Sequence, residues 1–284
     1  MNEAGADDLR IVAEGLLLPE SPRWHDGRLW LSDWGAGQIK RIEADGAVTI
    51  IASVNALPFS FAFMPDGAMA LIAGPTLSIR RPDGSFAPHA DLSPLSAKPW
   101  NEIVVDATGR AYVNTIGFDF PGGAFRPGLV ASVSLEGEVR LEAEDVAFPN
   151  GMAISPDGRM LVLGESYASC LTAFTIGGDG ALTARRRFAD LPGFHPDGIT
   201  MDAEGAVWFA DVPNRCCCRI GPDGTLLQRV DVDRGCFACM LGGGDGRTLF
   251  ILAADWKGPQ AIGQGGPSGR VLTVEVDVPR AGWP

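Results

Sequence analysis

The chain contains no run of about 18 apolar residues, so no part of it reads as a membrane-spanning helix. It has no Lys/Arg-rich run, and its formal net charge is −12. A chain of that sign repels a phosphate backbone, which argues against nucleic acid as a partner. The start, MNEAGADDLR, is acidic and polar. It lacks the basic and apolar regions of a secretory leader, so a cytoplasmic protein is expected. Helix-type periodicity is also scarce. Gly and Pro number 37 and 21 and gather at turn positions, which favours many short strands.

Metal-binding spacings of cysteine and histidine are missing as well. Six cysteines in 284 residues do not form a disulfide scaffold. Cys236-x-x-Cys239 has no second CxxC and no spaced histidine pair to complete a zinc site. On a strand the two cysteines face opposite sides, and Cys216, Cys217 and Cys218 alternate likewise. All six are expected to be buried as small apolar residues. Ser21 and Ser60 lack the G-x-S-x-G setting of a hydrolase nucleophile.

What the sequence does contain is a repeat. An apolar run, a Gly-centred turn and a second apolar run recur six times, with turn glycines at Gly27, Gly67, Gly109, Gly158, Gly205 and Gly246. The copies lie 40 to 49 residues apart, the spacing of β-propeller blades. A second turn recurs in five copies, at Asp45-Gly46, Asp83-Gly84, Glu136-Gly137, Asp179-Gly180 and Asp223-Gly224. Asp-Gly suits two-residue hairpins in which both residues adopt positive φ. The sixth copy ends after RVLTVEVDV without a fourth strand, and LRIVAEG precedes the first copy. Pairing these two segments would close the ring. The expected fold is all-β: one domain over residues 1–284, a six-bladed β-propeller with four-stranded blades, closed by an N-terminal strand.

A propeller brings one end of every blade to a common axis. Asn101, Asn150 and Asp197 stand eight residues before their turn glycines, and Glu20 stands seven before. Phe59 and Ala238 are the counterparts in the second and sixth copies. Glu20, Asn150 and Asp197 offer two carboxylates and an amide oxygen, a donor set suited to a hard divalent cation. Such a cation would relieve the repulsion between the carboxylates and activate water or a carbonyl. Asp and Asn at these positions are equally compatible with ordinary turn chemistry.

PESPRW, PNGMAISPDG and HPDGITMDAEG resemble the signature loops of the SMP-30/gluconolactonase/luciferin-regenerating family, in order and over nearly the whole chain. The resemblance implies a six-bladed propeller that binds one divalent cation at its mouth and hydrolyses lactones. It implies Glu20, Asn150 and Asp197 as metal ligands, Asp197 as general base, and Asn101 as a substrate contact. Calcium is the first expectation for the cation, with Zn²⁺, Mg²⁺ or Mn²⁺ as alternatives. Sugar-lactone hydrolases of the family commonly carry an arginine two residues before the counterpart of Asn101, where this chain has Pro99 between Lys98 and Trp100. The common Asn-Asp pair is here Asn101-Glu102.

Proline cannot supply a forked donor to sugar hydroxyls. Trp34, Phe59, Trp100, Phe118, Phe120 and Phe194 stand around the mouth, about half of them expected to face the pocket and the rest to pack between blades, with Trp100 and Phe118 against substrate, favouring an aromatic or alkyl lactone or ester. The segment NTIGFDFPGGAFRPG, residues 114–128, reads as a mobile flap, with Asp119 as a turn cap. His195, two residues before Asp197, reads as solvated or structural. The expected function is lactone or ester opening, in which a cation polarises the carbonyl and Asp197 activates water or attacks directly. The alternatives are a divergent propeller enzyme, such as a phosphotriester hydrolase or a condensing enzyme, and a non-catalytic calcium-binding or docking propeller.

Overall fold

The computed structural model describes residues 2–3, 9–258, 260 and 266–282. Its strands form six sheets, each holding four antiparallel strands. Blade one comprises Pro19–His25, Arg28–Asp33, Gln38–Ile42 and Val48–Ser53; blade two, Phe59–Phe63, Met69–Ala73, Thr76–Arg80 and Phe86–Asp91. Blade three comprises Trp100–Val105, Ala111–Thr115, Gly128–Val133 and Val139–Val146; blade four, Pro149–Ile154, Met160–Glu165, Cys170–Ile176 and Leu182–Asp190. Blade five comprises Pro196–Met201, Val207–Asp211, Cys216–Ile220 and Leu226–Asp231. Asn2–Glu3 adds a short parallel strand at its outer edge.

Blade six is assembled from both ends of the chain. Gly235–Gly242, Thr248–Ala254 and Gly269–Glu275 are completed by Arg10–Leu16, which pairs antiparallel with Gly269–Glu275. The first strands then contact one another in a closed circle, with blade six meeting blade one. Closure removes an exposed sheet edge.

The sequence of burial explains the layering. The first strands Phe59–Phe63 and Trp100–Val105 are buried throughout, whereas the outer strand Val48–Ser53 alternates between exposed and half-buried residues. Between each pair of neighbouring blades lies an apolar cluster, so the core is a ring of interfaces.

The turns differ from the expectation of two positive-φ residues. Only Asp26-Gly27 has both; at the other Gly-centred turns only the glycine is left-handed. There the aspartate instead caps the turn with its side chain. Asp45, Asp66 and Asp83 each accept the N–H two residues on, at 3.0, 2.9 and 2.9 Å.

The cysteine expectation also needs correction. All six thiols are free and buried. However, a bulge between Cys236 and Ala238 shifts the alternation, so Cys236 and Cys239 join Cys217 in one cluster between blades five and six.

Candidate functional site

The residues of interest sit where the chain enters the first strand of its blade. Bulges at Glu20/Arg23, Trp100/Glu102, Pro149/Met152 and Pro196/Ile199 interrupt the ladder in the blades that carry Glu20, Asn101, Asn150 and Asp197. Bulges re-aim side chains, here beside the axis. Glycine lets the strands crowd together. A Cβ on Gly151 would lie 2.4 Å from Ile199 N, and one on Gly198 would lie 2.4 Å from Ala238 Cβ. The glycines of PNG and PDG are therefore packing requirements of the site.

Hydrogen bonds tie blades three, four and five together around the mouth. Asn101, which is buried, donates through Nδ2 to Pro149 O at 3.3 Å. Asn114 Nδ2 donates to Asn150 O at 2.8 Å. The Asn150 side chain hydrogen-bonds the Asp197 carboxylate, and its Nδ2 lies 3.4 Å from Ser166 Oγ. Ser166 Oγ in turn donates to Pro196 O at 2.7 Å, beside Asp197.

Blade one contributes the second carboxylate. Burial holds Glu20 well above the usual carboxylate range, and the charges of Asp197 and Glu102 push it further. Asp197 is raised by burial first, then by Asp211 and Glu102, against the lowering effect of the Asn150 hydrogen bond. The pocket thus gathers negative charge.

The cationic group on this side of the axis is already engaged. Arg23 Nη2 donates to Glu102 Oε1 at 2.7 Å and to Ile103 O at 2.6 Å. Ser21 Oγ donates to Glu102 Oε2 at 3.3 Å, and Ser60 Oγ donates to Glu102 Oε1. A cavity of about 210 Å³ lies at the other end of the axis and holds none of the candidate ligands. Arg23 lines that cavity and bonds Glu102 on the mouth side, so the pair stands between the two ends.

The aromatic residues divide between blade packing and the mouth. Trp100 is fully buried in the cluster between blades two and three, where it packs as core. Phe59 is fully buried between blades one and two, and its neighbour Ser60 turns to Glu102 instead. Trp34 is half-buried and donates its indole N–H to Phe59 O at 2.6 Å. Phe194 packs against Phe209.

The aromatic rim belongs to the segment at 116–127. Phe118 and Phe120 meet Phe148, and Phe118 also meets Phe125 and Tyr167. Phe118 itself is buried, while Phe125 and Tyr167 are 51% and 54% exposed. Asp119 pairs with Lys98 at 2.8 Å and its carbonyl accepts the Gly123 N–H. His195 is exposed; its Nδ1 donates to Ser166 O at 3.2 Å, which places its proton there.

Comparison with known sequences decides the family. The profile of the SMP-30/Gluconolactonase/LRE-like region matches residues 18–255. The chain belongs to this family. Among its SMP-30/gluconolactonase relatives is the pentonolactonase XacC of Haloferax volcanii, 27% identical over 91% of this chain and 89% of that one. The 6-deoxy-6-sulfogluconolactonase of Pseudomonas putida is 25% identical over 96% of each chain. Regucalcin of Agrobacterium tumefaciens, a calcium-binding protein, shares the fold with a TM-score of 0.81 and 22% identity, over 95% of this chain and 94% of that one.

The structure brings in residues that the spacing of repeats missed: Arg23, Glu102, Ser60, Ser166, Phe148 and Tyr167. Phe148 and Tyr167 flank PNG and GES in the fourth copy, and their position on either side of two adjacent strand ends could have marked them. Arg23 lies inside PESPRW, but its partner is 79 residues away and no local pattern joins them.

Proposed function

We propose that this protein is a cation-dependent lactonase. The observation that carries the reading is the convergence of Glu20 and Asp197, both raised by burial, with Asn150 hydrogen-bonded to Asp197. The donor set fits a hard divalent cation: two carboxylates repel in a buried mouth, and Arg23, which could offset them, is committed to Glu102. Glu20, Asn150 and Asp197 would hold the cation, with Ca²⁺ as the favoured ion. When bound, the cation supplies Lewis-acid polarisation of the lactone carbonyl.

The chain's own groups do the rest. Asp197 accepts the proton of the attacking water. Asn150 orients Asp197 through their hydrogen bond. Asn101 donates to the neighbouring blade with one amide group and positions the lactone ring with the other. Phe118 and its aromatic neighbours shield the mouth from water and contact the apolar part of the substrate.

The substrate is a small lactone or related ester. The named lactonases among the relatives act on sugar-derived lactones, as their names state. Here Lys98 is paired with Asp119, and the Pro99 carbonyl accepts the Thr115 hydroxyl at 2.8 Å, so position 99 presents no forked guanidinium. The rim of phenylalanines and Tyr167 favours a lactone with an aromatic or alkyl substituent. A panel of pentonolactones, hexonolactones, alkyl lactones and aryl lactones tests this with cation-replenished protein. Preference for alkyl or aryl lactones supports the reading; strict preference for sugar lactones contradicts the substrate class, and turnover of none contradicts the activity.

A further inference from the structure

The six second strands end in Asp33, Ala73, Thr115, Glu165, Asp211 and Ala254. Acids occupy this position in the three blades that present Glu20, Asn150 and Asp197. Alanine occupies it in blades two and six, which present none of the three. A requirement of the propeller itself would recur in all six blades, because all six are built from the same strand order. The acids therefore follow the candidate ligands and not the fold.

Each acid grips the backbone just ahead of its blade's ligand. Asp33 Oδ1 accepts Leu18 N at 2.9 Å and Leu17 N at 3.2 Å, two and three residues before Glu20. Glu165 Oε2 accepts Ala147 N at 2.8 Å, three residues before Asn150. Asp211 Oδ2 accepts His195 N at 2.8 Å, two residues before Asp197. All three acids are buried. Each is itself held by a further donor: Lys40 Nζ at 2.6 Å, Arg185 Nη2 at 3.2 Å and Asn214 Nδ2 at 2.9 Å, respectively. In blade three Thr115 uses the opposite polarity, donating to Pro99 O two residues before Asn101.

We propose that Asp33, Glu165 and Asp211 are positioning residues of the cation site, each fixing the backbone segment that delivers one ligand. The inference rests on the cation-site reading above. Buried hydrogen bonds that orient ligands commonly change metal affinity by about 10–100-fold when removed. A purely structural carboxylate of the same kind exists in blade five for comparison. Asp202 is fully buried and accepts Glu204 N, Ala206 N and Arg219 Nε at 2.9, 3.0 and 2.7 Å, but at the far hairpin of the same strand pair.

Ca²⁺ titrated by calorimetry into chelated full-length protein tests the assignment, alongside thermal melting. Asp211→Ala is expected to weaken Ca²⁺ at least about tenfold, and Asp202→Ala to lower the melting temperature while leaving Ca²⁺ affinity within about twofold. Asp211→Asn keeps an acceptor for His195 N and is expected to recover most of the affinity. Should Asp211→Ala fail to fold, Asn214→Ala removes one donor that fixes Asp211 from a half-buried loop, and is expected to weaken Ca²⁺ about threefold. Equal weakening by Asp202→Ala and Asp211→Ala overturns the proposal, as does wild-type affinity in Asp211→Ala or, where that variant does not fold, in Asn214→Ala. Wild-type protein that binds no divalent cation overturns the site reading itself and the proposal with it.

Discussion

Arg23 and Glu102 form an ion pair of 2.7 Å across the axis, from blade one to blade three. The two side chains are 16% and 8% exposed, and Glu102 also adds to the negative field on Glu20 and Asp197. Removing the cation alone leaves Glu102 buried beside two other carboxylates. Arg23→Leu is therefore expected to destabilise the fold by about 3 kcal/mol. Adding Glu102→Gln should recover part of that loss, because the uncompensated charge is gone. Denaturant unfolding of the two single variants and the double variant measures the coupling; additive losses contradict the pairing argument.

Asp197→Asn retains the shape of the side chain but not the base. Turnover is expected to fall at least about 100-fold, with the variant still folded. Steady-state kinetics on the preferred lactone check this, and an unchanged kcat sinks the proton-transfer role.

The place of Asp197 at the mouth was legible because two physical demands coincide in HPDG. Proline ends the incoming loop, and Gly198 admits Ala238 against the backbone. The blade count was legible because the first hairpin of each blade needs a glycine at positive φ, and that requirement recurs six times. What one sequence cannot show is direction. Trp100 and Phe59 stand next to inward residues, yet both turn into blade interfaces, because side chains alternate along a strand and bulges decide the phase. The same effect placed Cys236 and Cys239 on one side. Arg23–Glu102 was illegible because it joins blades through space.

Gly198→Ala offers a direct test of strand crowding. The new Cβ would lie 2.4 Å from Ala238 Cβ and 2.7 Å from Ala238 Cα. A loss of about 2 kcal/mol is expected, measured by chemical denaturation. Wild-type stability would show that the first strands of blades five and six are further apart.

Acidity should affect the cation-free protein with a defined sign. Glu20 and Asp197 are both raised in the folded state, so the folded protein holds more protons than the unfolded chain in the window between their unfolded and folded values. Their destabilising contribution is fully present above the raised values and vanishes below the ordinary carboxylate range. Chelated protein should therefore melt higher as pH falls from neutral toward the ordinary carboxylate range. The Glu20→Gln/Asp197→Asn double variant isolates their share: it should lose that pH dependence. Cation affinity should move the opposite way and weaken as pH falls, since protons compete for the same oxygens.

The aromatic rim should discriminate among substrates. Phe148 stacks on Tyr167 at 4.5 Å between ring centroids and meets Phe118 at 5.8 Å. Phe148→Ala is expected to raise KM for an aryl lactone by about tenfold while changing that for a pentonolactone by less than about twofold. Equal effects on both substrates would make the cluster a packing element only.

The central claim is that a divalent cation held by Glu20, Asn150 and Asp197 makes this propeller a lactonase. The most direct test follows binding and turnover in one sample, as Ca²⁺ is added back to chelated protein with its preferred lactone. The account predicts negligible hydrolysis at the start, a rise that saturates at about one equivalent, and no comparable rise in Glu20→Gln. Full hydrolysis in the chelated protein, or saturable Ca²⁺ binding with no turnover of any lactone, would contradict it.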